Sequence, residues 1–308
     1  MKAVRIHSFG GADVLEYEDV PSPAIGTDDL LLAVHASSIN GIDRFVRAGY
    51  MQGTVDFPLP LTLGLDLSGI VAAVGADVAD FAVGDEVYGY SNMMRQGAYA
   101  EYAVVGASEV APKPAGVDHA TAAAVPLAGL AAWQSLELLD LMAGQTILIQ
   151  GAAGGVGTFA VQFAVQRGAH VIATAAADKH ELLRELGVVE PINYGTIRFE
   201  EVVHGVDAVL DLVGGEVLAR SLTVLKPGGM LVTTAGQPDV AAAAARGVRA
   251  QGIQTYADPA QLAEIGSLIV TGAVKPIISD VFPLAGARHA HELADRGHAR
   301  GKIVLRMV

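Results

Sequence analysis

The sequence contains no cysteine. Disulfides, thiolate nucleophiles, iron–sulfur ligation and every cysteine-containing zinc site are thereby excluded, and the chain suits a reducing, cytoplasmic compartment. Charge is sparse: 17% of the 308 residues are Asp, Glu, Lys or Arg, with a formal net charge of -13. That sign repels a phosphate backbone unless basic residues cluster, and here Lys and Arg are scattered. Neither nucleic acid nor an anionic membrane surface is an expected partner. Long apolar runs are missing too. The most apolar stretch, ATAAAVPLAGLAAW at 120–133, carries Thr, Pro and Gly and is short of the roughly 20 residues a membrane span needs. The N-terminal MKAVRIHSFGG lacks the apolar core of a signal peptide. A GxSxG serine elbow and an HExxH motif are both absent. His289 and His291 stand two apart, so on a helix they point apart; with His298 following, they make no metal site. The expectation is a soluble, metal-free, cytoplasmic protein.

Of what is present, 52% is hydrophobic, enough over this length for two cores. Up to about residue 120, Gly and Pro punctuate short apolar runs such as DLLLAVHA (29–36) and SGIVAAVG (68–75), the pattern of a β-rich domain. From about 145 the pattern changes. TILIQ (146–150), HVIATA (170–175), DAVLDLV (207–213) and MLVTTA (230–235) read as strands, apolar throughout, as in a parallel sheet covered on both faces. Between them, Val156, Phe159, Ala160, Phe163 and Ala164 share one helical face. Asp178 and Glu181 suggest a capping box for a helix over 179–187, and a further helical stretch falls near 216–225, followed by the turn KPGG (226–229). GIQTYA (252–257) reads as a sixth strand and QLAEIGSLIVTG (261–272) as a helix. KPIISDVFPL (275–284) and GKIVLRMV (301–308) read as strands flanking a helix at 286–296.

The run QGAAGGVGTF (150–159) therefore follows a buried strand and opens a helix. It supplies Gly154 and Gly157 of a GxGxxG fingerprint, with Ala152 at the first glycine place. Small residues let the backbone of Gly154, Gly155, Val156 and Gly157 approach a pyrophosphate, and the helix N-terminus offers free N–H groups. A Walker loop is excluded, because Thr158 and Phe159 stand where Lys and Ser/Thr are needed. The second strand ends in TAAA (174–177), without the acid that holds an NAD ribose. Lys179 follows and can pair a 2′-phosphate, and Tyr194 can cover the adenine. Thr174 at the strand end, Val213 after the fourth strand, and Ala235 and Gly236 after the fifth lie where a dinucleotide crosses the carboxyl edge of the sheet. The cofactor expected is NADPH.

The order of domains, together with VGDEVYG (83–89), GAYAEY (97–102), AAVPLAGLAAW (123–133), QGAAGGVG (150–157), LKPGG (225–229) and GKIVL (301–305), resembles the medium-chain dehydrogenase/reductase superfamily, and within it the zinc-independent quinone oxidoreductase branch. The resemblance implies an α/β Rossmann domain with a six-stranded parallel sheet (121–272) plus a β-rich GroES-like catalytic domain (1–120 and 273–308), with a cleft between them. Zinc-dependent members carry a Cys in the segment matching SSINGID (37–43) and Gly-His-Glu in the segment matching GLD (64–66). Here those places hold Asn40 and Leu65, and Asp66 remains as one lone carboxylate. Without a zinc to polarise a carbonyl, the substrate must itself be electrophilic, a quinone or an α,β-unsaturated carbonyl. By the resemblance Asn40 lies near nicotinamide and substrate, Tyr50 among pocket aromatics, and Arg300 within reach of a cofactor phosphate. Two alternatives stand beside this reading. One is an enoyl reductase on a carrier- or CoA-bound intermediate, with Arg44, Arg47 and Arg95 as candidate basic contacts. The other is an NADPH-binding sensor without turnover. The resemblance also implies a homodimer, paired through the edge strand near 252–257.

Overall fold

The computed structural model describes residues 1–297 and 299–307; His298 and Val308 lie outside them. The chain divides into two compact units. One comprises Met1–Ala128, Ala257–Gly272 and Pro276–Val308, the other Gly129–Tyr256 with Ala273–Lys275.

The first unit is built on strands. Its largest sheet runs, in spatial order, Ile278–Pro283, Lys302–Arg306, Asp29–Ser38, Asp66–Val74, Glu86–Tyr90, Val110–Pro112, with Tyr102–Gly106 also pairing to Asp29–Ser38. The Asp29–Ser38 strand alternates buried and half-buried positions, as a strand with one face on the core does. A three-stranded sheet of Leu15–Asp19, Lys2–Ile6 and Leu61–Thr62 stands beside it. Ile6, Leu63, Tyr99, Ala290 and Leu305 meet in one core cluster, which thereby joins this sheet to the helix Ala287–Asp295 and the last strand. The last strand starts at Lys302 because Gly301, at φ +71°, lets the backbone run against Ile277; a Cβ there would lie 2.1 Å from the Ile277 carbonyl oxygen. The helix Pro259–Val270, grouped from sequence with the Rossmann domain, packs in this unit, where Tyr88 OH donates to the Leu262 carbonyl at 2.5 Å.

The second unit is a six-stranded sheet in the order Glu190–Asn193, His170–Ala175, Thr146–Gln150, Val206–Asp211, Leu225–Thr233, Arg249–Gly252. Every neighbouring pair is parallel. This 3-2-1-4-5-6 order is that of the doubly wound dinucleotide fold. Ile147, Leu148 and Ile149 are fully buried, as are Phe159 and Val161 of the following helix, Gly155–Gln166. Phe163 of that helix stacks on Phe159 at 5.9 Å between ring centroids and meets Trp133 edge-on at 5.2 Å.

Local readings needed correction at three places. The sixth strand is Arg249–Gly252, and residues after Gly252 in GIQTYA form no strand; Gly228 and Gly247 bond (2.7 Å) and bring 249–252 into register with Met230–Thr233. KPGG is not a turn before a strand but a bulge inside Leu225–Thr233, where the pairing with Val206–Asp211 shifts register. Asp178 does not cap a helix. It lies in the 3₁₀ turn Ala177–Lys179; the α-helix runs only over His180–Glu185, its N-cap is Lys179, and no side chain caps it. The Asp178 carboxylate pairs instead with Lys179 Nζ at 2.9 Å.

Phe163 is 1% exposed. Phe163→Ala is expected to destabilise the protein by about 3–5 kcal/mol, as large-to-small changes in a packed core do, with urea unfolding as the measurement.

Candidate functional site

In the second unit the glycine loop is tight by construction. A Cβ on Gly157 would lie 2.5 Å from the Ala152 carbonyl oxygen and 2.6 Å from its Cα, so the third glycine place admits only Gly. Gly154 is the N-cap, extended at φ −78°, ψ 178°, with no side-chain cap. The first-turn N–H groups of Gly155, Val156 and Gly157 therefore lack intrahelical acceptors, and this end of the helix carries partial positive charge. Gln150 and Thr174 set the loop's entry: Thr174 OH donates to Gln150 Oε1 at 2.5 Å, and the Gly151 N–H donates to Thr174 Oγ1 at 3.3 Å. Thr174 is 2% exposed; its hydroxyl serves the loop.

Across the sheet, Asp211 organises the carboxyl ends of the fourth and fifth strands. It is fully buried and accepts from Thr233 OH at 2.8 Å and Gly214 N–H at 3.0 Å, and burial pushes its carboxyl up. Gly214, at φ +79°, lies so close to Ala235 that a Cβ would stand 2.2 Å from the Ala235 carbonyl oxygen. A Cβ on Gly151 would be 3.1 Å from Val213 Cγ2. Gly151, Val213, Gly214 and Ala235 thus line one edge. Gly236 follows at φ +121° with open space around its Cα. Lys179 follows the second strand, nearly buried on Asp178, and Tyr194 follows the third, 66% exposed. Neither Gln150 nor Asp211 stood out in the sequence; both are polar residues ending apolar strands, which is the available signal.

In the first unit, Asn40 is the N-cap of the helix Gly41–Arg47. Its backbone N–H donates to Asp43 Oδ2 at 2.8 Å, completing a capping box. Its side chain belongs to a separate buried cluster. Asn40 Nδ2 donates to Asp66 Oδ2 at 2.9 Å, and Asn40 Oδ1 accepts from Lys302 Nζ at 2.5 Å. Lys302 Nζ also reaches Asp66 Oδ2 at 3.1 Å, Ser38 OH donates to that oxygen at 2.6 Å, and the Leu127 N–H donates to Asp66 Oδ1 at 2.8 Å. Asp66, read from sequence as a lone carboxylate, is the hub of this cluster. Beside it, the Ser91 N–H donates to the Leu65 carbonyl at 2.9 Å, while among the described residues the buried Ser91 Oγ has no hydrogen-bond partner.

A second chain of buried groups leaves Asp43. Arg47 can only donate, so the His291 Nδ1 it reaches at 2.9 Å accepts. His291 Nε2 then carries the proton and donates to Tyr99 Oη at 3.3 Å, and Tyr99 OH donates to Asp43 Oδ2 at 3.2 Å. Burial, with Arg47 beside it, pushes His291 down to about 3; burial pushes Asp43 up to about 7, against the pull of the Asn40 N–H. Asp43 also lines a hollow of about 280 Å³, counting solvent at its mouth, with Leu61, Leu63, Leu65, Met93 and Arg95 among its walls.

Tyr50 stands apart from this cluster, 75% exposed, its ring edge-on to Phe45 at 5.3 Å. Arg300 is exposed two residues before Lys302. The three arginines offered as a basic mouth are engaged: Arg44 and Arg47 with Asp295, Arg95 with Asp29. A zinc ion does not fit at the Asn40 and Leu65 places. Their surroundings offer a carboxamide and a carboxylate, and an ammonium already bridges the two. Among the described residues no group of three or more His, Asp or Glu is placed to hold a metal.

Residues 26–115 match the alcohol dehydrogenase GroES-like domain, and residues 186–305 match the family described as zinc-binding dehydrogenase. The chain is similar to the NAD(P)H oxidoreductase RTN4IP1, mitochondrial, of Mus musculus, at 33% identity over 100% of this chain and 89% of that protein. It is also similar to the NADPH-dependent alkenal/one oxidoreductase, chloroplastic, of Arabidopsis thaliana, at 34% identity over 99% of this chain and 79% of that protein. Among solved structures, the quinone oxidoreductase from Coxiella burnetii superposes with a TM-score of 0.94 at 34% identity, covering 100% of this chain and 99% of its own.

Asp43 makes a pH prediction. Its folded value lies near 7 and its unfolded value near about 3.9, so between the two the folded state holds a proton the unfolded state has lost. The associated stability is complete below the lower value and is lost as pH rises through the higher. Asp43→Asn keeps an oxygen for both donors and does not titrate. Relative to Asp43→Asn, the native protein should lose about 2 kcal/mol of unfolding free energy between pH 5 and 8, read by urea titration. The opposite trend of His291, whose buried neutral ring favours higher pH, is common to both proteins and cancels.

Proposed function

The chain belongs to the medium-chain dehydrogenase/reductase superfamily, in its zinc-independent quinone oxidoreductase-like branch, and from that membership we propose how its residues serve the reaction. The protein is an NADPH-dependent oxidoreductase that reduces quinones and α,β-unsaturated carbonyls. The observation that carries the reading is the glycine cradle, which has backbone contact on one side and free N–H groups at its rim.

The cradle fits a pyrophosphate: Gly154, Gly155, Val156 and Gly157 would hold it through backbone N–H groups and the helix terminus. Val213, Ala235 and Gly236 would flank the cofactor along the carboxyl edge of the sheet. Lys179 would turn from Asp178 to a 2′-phosphate, and Tyr194 would cover the adenine. NADPH, when bound, supplies the hydride. In the catalytic unit Asn40 would donate from Nδ2 to the substrate oxygen, and Tyr50 with Phe45 would form an aromatic wall. A proton from solvent completes the product. Such a site contributes chiefly position and a fixed donor.

The Arg249–Gly252 strand pairs, among the described residues, with Leu225–Thr233 alone. An unpaired edge invites a partner strand, and we assign it to a homodimer contact. The absence of cysteine is consistent with residence in the cytoplasm; among the described residues no helix is long and apolar enough to cross a membrane.

NADPH oxidation against a panel of quinones and enones tests the activity directly. Turnover should prefer NADPH to NADH and be unchanged by a chelator; chelator-sensitive turnover would overturn the zinc-free chemistry. Gly157→Val should weaken NADPH binding at least about tenfold, one such step being about 1.4 kcal/mol, by cofactor fluorescence, with the circular dichroism of the sheet retained.

A further inference from the structure

Lys302 has no role in the reading above, yet it is one of the least expected residues in the chain. Lysine is almost never fully buried unless paired, and Lys302 is 3% exposed at the head of a strand whose next residues, Ile303, Val304 and Leu305, are core. Its backbone is fixed from two sides: the N–H donates to the Ile277 carbonyl at 2.8 Å, and the Lys302 carbonyl accepts from Ser279 OH at 3.3 Å. The ammonium meets Asn40 Oδ1 at 2.5 Å and Asp66 Oδ2 at 3.1 Å.

These two contacts determine which way the Asn40 carboxamide faces. An ammonium only donates and a carboxylate only accepts, so oxygen must lie toward Lys302 and nitrogen toward Asp66. One Nδ2 hydrogen is committed to Asp66, and among the described residues no acceptor meets the other. Asn40 is also the most exposed of the four clustered residues, at 9%, against 3% for Lys302 and none for Asp66 and Ser38. Stability alone does not account for the arrangement, because a buried ion pair is often no more stabilising than an apolar replacement.

We propose that Lys302 is a positioning residue: bonded to Asn40 Oδ1, it holds the carboxamide with its free Nδ2–H toward the substrate and polarises that N–H as a donor. The inference rests on the reading of Asn40 as the donor to the substrate oxygen. As the electrophilic carbon gains the hydride that NADPH supplies, with its electron pair, the displaced π pair moves to the substrate oxygen, and NADP⁺ is left. That oxygen carries the new negative charge until a proton from water neutralises the product. A donor polarised by a fixed ammonium meets the charge as it develops, and the effect is greatest where the oxygen holds that charge least readily. An enone, whose enolate is basic, depends on it more than a strongly oxidising quinone.

Lys302→Met alone would leave Asp66 buried and unpaired, a change that can prevent folding, so the test pairs it with Asp66→Asn. In the apo protein, selective ¹⁵N-asparagine labelling identifies the Asn40 side-chain amide by its loss in Asn40→Ala. In Lys302→Met/Asp66→Asn that signal should shift and exchange faster with solvent. With 3-penten-2-one, kcat should fall by about 10²-fold, the scale of one lost oxyanion donor, and by at least about tenfold less with 1,4-benzoquinone; the NADPH Kd should hold. An unmoved amide signal, native rates in the double variant, or equal losses on the two electrophiles would overturn the role of Lys302. If Asn40→Ala itself reduces the enone at the native rate, the reading of Asn40 fails and this inference with it. If Asn40→Ala is slow and the double variant is not, only the inference fails.

Discussion

The Asp66 carboxylate draws together four separate parts of the first unit. It accepts from Ser38 at the end of one strand, Asn40 at the start of a helix, Leu127 in another helix, and Lys302 at the head of the last strand. A carboxylate without exposed surface must be met by donors or it would not remain buried. Once it is met, the positions of these segments are no longer independent. The placement of the Asn40 amide at the start of its helix is a consequence of satisfying that single group.

The second unit solves a related problem without charge. Its glycine loop must bring backbone N–H groups to the surface while a helix packs tightly on a strand. Gly157 allows the packing, and the Gln150–Thr174 pair holds the strand ends between which the loop departs. Asp211 and Thr233 repeat the device two strands along. In both units, polar groups at the ends of apolar strands fix the geometry of the segments that follow.

A buried ammonium stands beside Asn40, the residue at the place where the resemblance puts a cysteine in zinc-dependent members, and gives this cluster a fixed positive charge of a different kind. Zinc would engage an oxygen directly. The Lys302 ammonium engages Asn40 Oδ1 and Asp66 Oδ2 instead. The neighbouring Asp43–Tyr99–His291 chain is oriented throughout by Arg47, and it secures the same helix N-terminus from its other side.

Local pattern was enough for the parallel strands covered on both faces, the glycine cradle and the β-rich first part. Those features rest on local periodicity and on residues a few places apart, such as Ala152, Gly154 and Gly157. Local spacing also misled, at the supposed Asp178 cap and at GIQTYA, because neighbouring groups there satisfied the backbone differently. The tertiary structure alone decided the surroundings of Asn40. Lys302 is 262 positions away from it, and His291 is 192 from Tyr99; no period or motif links such pairs. In the sequence Asp66 stands as a lone acid and Lys302 as an ordinary strand-leading lysine. They became a charged pair because a buried carboxylate and a buried ammonium each require a partner, and only the folded chain brings them within reach of one another.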